Sequence, residues 1–262
     1  MIAKKLLEKE VGRLLAVLYG KRFAALDKLS LTRLLNKNPY LYRALGFSDS
    51  SEFMLQLMVA FISSSDETIF GNDFLEPLAI FAAKHANEHG DIDRNVTVGA
   101  GAGQDIAIET AASYLAISVK SGQNIFNSQS TKGQSAESTA LTSRLKKLNK
   151  SIRSIIGYGY GRKVQRKASQ HEKFAGQSFW RLLTGESDFY LRLSAAMETF
   201  AGEHGAAYKS TFELKHQQLL REFMIDYVDN SGHILWQKIV EFNSAEVKPS
   251  KPKTSKLSKQ VS

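Results

Sequence analysis

Two residues of this chain have the types and the spacing for joint chemistry, Asp105 and Lys120. Asp105-Ile106-Ala107-Ile108-Glu109 and Tyr114-Leu115-Ala116-Ile117-Ser118-Val119-Lys120 read as two strands joined by the connector Thr110–Ser113, a hairpin. If Glu109 faces Tyr114, the same register sets Asp105 opposite Ser118 and Lys120 one diagonal step away. Directly opposed side chains have Cβ atoms about 5 Å apart and diagonal ones about 7 Å, so a carboxylate and an ammonium converge on one patch. A carboxylate that holds a hard cation, beside a lysine that orients water, is what phosphodiester hydrolysis needs. The same spacing also describes an ordinary cross-strand ion pair, and a register slip of one residue would separate the two.

The elements that must position this pair follow from hydrophobic periodicity. Ile2, Leu6, Leu7, Val11, Leu14, Leu15 and Leu18 mark an amphipathic helix closing near Gly20. A second helix starts at Ser30 and is broken at Asn38-Pro39. A third, capped from Ser48–Ser51, runs through Phe53, Leu57, Phe61 and Ile62 and stops at Ser63–Asp66. After Gly71-Asn72-Asp73 another helix runs from about Phe74 to Asn87, with Glu76 and Pro77 in its first turn. Beyond the hairpin, 128–138 reads as a loop, Thr139–Ile152 as a basic helix and 154–161 as a strand with close backbone approaches. Helices then return around Phe179, over Phe189–Phe200 and over Phe212–Val228. The expected organisation is one α/β domain over 1–244, with a helical part at 1–90, a sheet core at 95–165 and a helical part at 170–244. The Lys/Ser/Pro tail 245–262 is expected to be disordered.

Composition narrows the function class. Apolar residues are 43% of the chain and spread along it, enough for a sizeable core. The longest apolar runs, such as Leu78–Ala83, fall far short of the ~20 residues of a membrane span. The N-terminus mixes both charge signs, unlike a signal peptide, and the chain contains no cysteine, which suits a cytoplasmic protein. Of the net charge of +9, the tail carries +4 and the stretch Arg144–Lys173 carries +9, so the remaining residues sum to −4. A basic band on a slightly acidic body is the footprint of a polyanion site, as well as of a solvated helix face. Gly99-Ala-Gly-Ala-Gly103 opens a strand and lacks the Gly-Lys-Ser/Thr ending of a phosphate loop. His85 and His89 stand four apart, but without the Glu of a His-Glu-X-X-His site they read as a solvated helix end.

Gly103-Gln104-Asp105-Ile106 with Ile117-Ser118-Val119-Lys120-Ser121-Gly122 resembles the two halves of the PD-(D/E)XK nuclease motif. The resemblance to bacterial type II restriction endonucleases extends through Asn38-Pro39-Tyr40-Leu41, Ser63–Gly71, Lys120–Asn127 and Gly176–Trp180. It implies a mixed sheet flanked by helices, a homodimer on double-stranded DNA at a palindrome, GC-rich with an interrupted centre, and Mg2+-dependent cleavage leaving 5′-phosphates. It also implies a cognate DNA methyltransferase acting separately. This sequence departs from the pattern where Ser118 takes the place of the second acid. Glu109 shares the face but sits about 13 Å along the strand. A glutamate from the preceding helical region, Glu76 or Glu67, is the expected replacement, with helix-dipole complementation as the mundane alternative for Glu76. Asp105 and Glu76 are then the expected metal ligands. Asn124, Asn127, Gln129, Arg144, Lys146, Lys147, Arg153, Arg162 and Lys163 are the expected DNA contacts. The rivals are a non-catalytic DNA-binding module, a helical or RNA-associated scaffold, and a repair-type nuclease on the same fold.

Overall fold

The computed structural model describes residues 1–87, 94–99, 104–121, 143, 149–162 and 172–246, without the side chains of 64–67 and 87. Their contacts divide the chain into two compact units, Met1–Lys28 with Val59–Lys215, and Leu29–Met58 with His216–Ser262. Among the described residues no helix is long and apolar enough to cross a membrane.

The first unit is built on a mixed five-stranded sheet in the order β1 (Asn95–Val98), β2 (Ile106–Glu109), β3 (Ser113–Lys120), β4 (Ser151–Tyr158) and β5 (Glu172–Ala175). The first three strands are antiparallel, and β3, β4 and β5 run parallel. Glu109 faces Tyr114 and Ile106 faces Ile117, the register that the short connector imposes. One face of the sheet, with Ile106, Ile108, Leu115, Ile117, Val119 and Ile155, packs into the main core. Helices supply the rest of that core: α1 (Lys4–Asp27) through Leu7, Val11, Leu14, Leu15 and Leu18, α5 (Glu76–Asn87) through Leu78, Ala79, Ala82 and Ala83, and α6 (Gln177–Thr184) through Phe179, Trp180 and Leu183. At Gly157 on β4 a Cβ would come within 2.0 Å of the Phe179 ring, so only glycine lets α6 lie this close.

Helix boundaries differ from the sequence expectation in several places. α1 passes through Gly20 to Asp27, because Leu26 is buried and Tyr19 and Phe23 pack edge-on against Tyr208, which outweighs the ~1 kcal/mol cost of a helical glycine. α4 (Ser50–Phe70) continues through Ser63–Asp66, since serine is only mildly unfavourable in a helix. It then passes through a π-helical segment, Gly71–Leu75, directly into α5. β4 takes Ser151 and Ile152, which the basic run before them suggested were helical. Finally, α7 (Phe189–Tyr227) is one 39-residue helix across Gly202 and Gly205, where two were expected.

The second unit consists of α2 (Leu31–Leu35, capped by Ser30), α3 (Pro39–Ala44, capped by Asn38), the start of α4, the last part of α7 and α8 (Trp236–Ser244). Phe53 is its anchor, packed against Phe223 at 5.5 Å and Trp236 at 5.1 Å between ring centres.

Candidate active site

The end of the sheet where β3 finishes holds a cavity of about 300 Å³, lined by Thr68, Gly71, Asn72, Glu76, Asp105, Val119, Lys120 and Ser121. Each charged group arrives on a different element. Asp105 directly precedes β2; its N–H donates to Ile117 O at 2.9 Å and its carbonyl accepts from Gly99 N–H at 3.0 Å. Its carboxylate oxygen Oδ2 accepts the Val119 N–H at 2.6 Å, which pins one oxygen and leaves the other for a ligand. Lys120 is the last residue of β3, and its carbonyl accepts from Gly159 N–H at 3.0 Å.

Glu76 comes from the helical layer by way of the π-helical segment. The Glu76 N–H donates to Gly71 O, five residues back, which is the wider π ladder. Pro77, which has no N–H to donate, follows at once as the second residue of α5. A Cβ on Gly71 would lie 3.4 Å from the Ser121 side chain, so the segment is seated on the residue after Lys120. Asp73 is held by Lys21 at 2.6 Å, and Phe74 and Leu75 are buried.

Burial pushes the Glu76 carboxyl above its ordinary range, the nearby Asp105 charge pushes it further, and Lys120 partly offsets both. Glu76 is therefore near enough to feel both partners. Neither the Glu76 carboxylate nor the Lys120 ammonium has a hydrogen bond or ion pair among the described residues. Among these residues no three His, Cys, Asp or Glu converge as a metal cluster, so the acidic donors at the cavity are two, Asp105 and Glu76. The other donors are the neutral oxygens of Asn72, Thr68 and Ser121. An all-oxygen set of this kind fits a hard divalent cation such as Mg2+ rather than a soft one.

The structure thus brings Asp105, Lys120 and Glu76 together and leaves Ser118 apart: it is buried on β3, faces Ile156 of β4 and does not line the cavity. Glu67 lies on α4, with its side chain outside the described residues. Arg153 is held by a two-pronged contact, Nε to Glu172 Oε1 and Nη2 to Oε2, both 2.6 Å. Arg162 is exposed just beyond β4. Asn124, Asn127, Gln129, Arg144, Lys146, Lys147 and Lys163 lie outside the described residues, as do His89 and the tail from 247. His85 packs its ring on Phe81 and pairs its Nδ1 with the Phe81 carbonyl at 3.0 Å, a helix-end arrangement. Sequence reasoning missed Thr68, Asn72 and Ser121. Asn72 stands four residues before Glu76, one helical turn, but Gly71-Asn72-Asp73 read as a break between helices and hid that spacing.

No curated protein matches the chain. Residues 4–205, most of its length, match the family of the type II restriction endonuclease EcoO109I. With the mixed sheet and the carboxylate and lysine at its end, the match establishes that the chain belongs to this family, the type II restriction endonucleases, which cut DNA at specific sites.

Proposed function

We propose that this endonuclease hydrolyses double-stranded DNA at a palindromic site in a Mg2+-dependent reaction centred on Asp105, Glu76 and Lys120. The supporting observation is the convergence of these three side chains on one cavity, with Glu76 and Lys120 unpaired among the described residues. Asp105 and Glu76 would hold the cation. Once bound, Mg2+ supplies charge to the phosphoryl oxygens and acidifies water. The Val119 N–H fixes the Asp105 carboxylate, so its other oxygen would meet a cation without a search among rotamers.

Lys120 Nζ would orient the attacking water and stabilise the negative charge that grows on the phosphate. The water oxygen bonds to phosphorus, the P–O3′ bond breaks, and the products are a 5′-phosphate and a 3′-hydroxyl. Arg162, exposed beyond β4 at the same end of the sheet, would be one contact to the DNA backbone. Two copies acting across the palindrome would cut both strands, and a separate methyltransferase would protect the host site.

The test is digestion of long unmethylated phage DNA by wild-type protein and Lys120→Ala, with and without Mg2+. Discrete fragments only from wild type with metal support this mechanism. Fragments from Lys120→Ala, or from wild type in a chelator, overturn it.

A further inference from the structure

Asn72 lies in the wall of this cavity and has no part in the mechanism above. Its carboxamide is exposed and has no hydrogen-bond partner among the described residues. It sits on the π-helical segment one turn before Glu76, so both residues approach the cavity from one element, and Gly71 seats that element on Ser121. The centre also lacks an acid: the position two residues before Lys120 is Ser118, buried away from the cavity, and the acidic donors among the described residues are two. A cation held by two carboxylates still needs further oxygens.

Three neutral polar side chains line the cavity. Ser121 is 4% exposed and lies beneath Gly71, and Thr68 stands a full turn before Asn72. Asn72 is open to the cavity and carries an amide oxygen, a donor that hard divalent cations accept readily. From this geometry we infer that the Asn72 carboxamide oxygen is a third protein ligand of the divalent cation, the neutral stand-in for the acid absent at Ser118. The inference rests on the reading of this cavity as the metal centre.

It is tested by calorimetric titration of Mn2+ into the DNA-free, full-length protein as wild type, Asn72→Ala, Asn72→Asp and Asp105→Asn. Circular dichroism checks that each variant is folded. Asn72→Ala changes no charge and is expected to weaken Mn2+ binding about tenfold or more. Asn72→Asp, which restores an acid, is expected to bind tighter than wild type, a gain that a merely structural role for Asn72 would not produce. If Asp105→Asn weakens binding while Asn72→Ala binds like wild type, the Asn72 assignment falls and the metal centre stands. If Asp105→Asn also binds like wild type, or wild type shows no saturable binding, the metal centre itself falls and the assignment with it.

Discussion

At the end of the sheet where β3 and β4 begin, Lys150 donates to Glu109 at 2.6 Å, and a little further along Arg153 grips Glu172 with two contacts of 2.6 Å. At the opposite end, Glu76, Asp105 and Lys120 line one cavity, and neither Glu76 nor Lys120 is paired among the described residues. The same residue types therefore serve two purposes within one sheet. Where charges only have to be tolerated, folding pairs them, at a gain of about 0–1 kcal/mol for such half-exposed bridges. Where a charge is left without such a partner, as at Glu76, the fold carries a cost, and perturbed carboxyls of this kind cluster at functional sites.

The largest expected effect breaks the open end. Lys120→Ala is expected to lower the cleavage rate by about 10²–10⁴, read from single-turnover digestion, with duplex binding in Ca2+ largely retained. Glu76→Gln is expected to weaken Mn2+ binding about 10–100-fold by calorimetry and yet to raise the melting temperature of the metal-free protein. The Glu76 carboxyl is raised in the fold, so its anionic form destabilises the native state above the ordinary carboxyl range, and a neutral amide removes that cost.

Arg153→Ala tests the closed end. It is expected to cost about 1 kcal/mol in urea unfolding while cleavage stays within about twofold, because its guanidinium is occupied by Glu172. A large loss of DNA affinity instead would put Arg153 in the DNA interface. The two ends should also answer acid in opposite senses. The Arg153 guanidinium holds the Glu172 carboxyl below its usual range, so the stability this pair contributes is present above the unfolded-state value and is lost as pH falls through the folded one. Below the ordinary carboxyl range Arg153→Ala and wild type should therefore converge in stability. Lys150→Ala is expected to be the mildest change, at most a few tenths of a kcal/mol, since its single contact to Glu109 is monodentate and partly exposed.

How much of this was legible depended on how local the cause was. The β2–β3 register could be read because a short connector admits few pairings, and that register alone brings Asp105 beside the end of β3. β1 and β5 were not legible: Asn95-Val-Thr-Val and Glu172-Lys-Phe-Ala are four-residue edge strands whose pairing comes from the sheet and not from their own pattern. The continuity of α7 across Gly202 and Gly205 was hidden for a related reason. Phe200 packs edge-on against Tyr19 of α1, and such tertiary contacts outweigh two weak helix formers. Glu76 could be nominated from its position in a first turn, but its delivery to the cavity depends on one wide turn of backbone, which no side-chain pattern announces.

The parallel pairing of β3 with β4 has a further consequence for the chain during its synthesis. The antiparallel meander β1–β2–β3 closes over a short stretch of sequence, whereas β4 starts thirty-one residues after β3 finishes. On the ribosome, β3 therefore waits with one edge of Leu115, Ile117 and Val119 unpartnered, an apolar template for neighbouring nascent chains. Yield in a host should accordingly respond more to slowed translation and to chaperone supply than the stability of the finished enzyme would suggest.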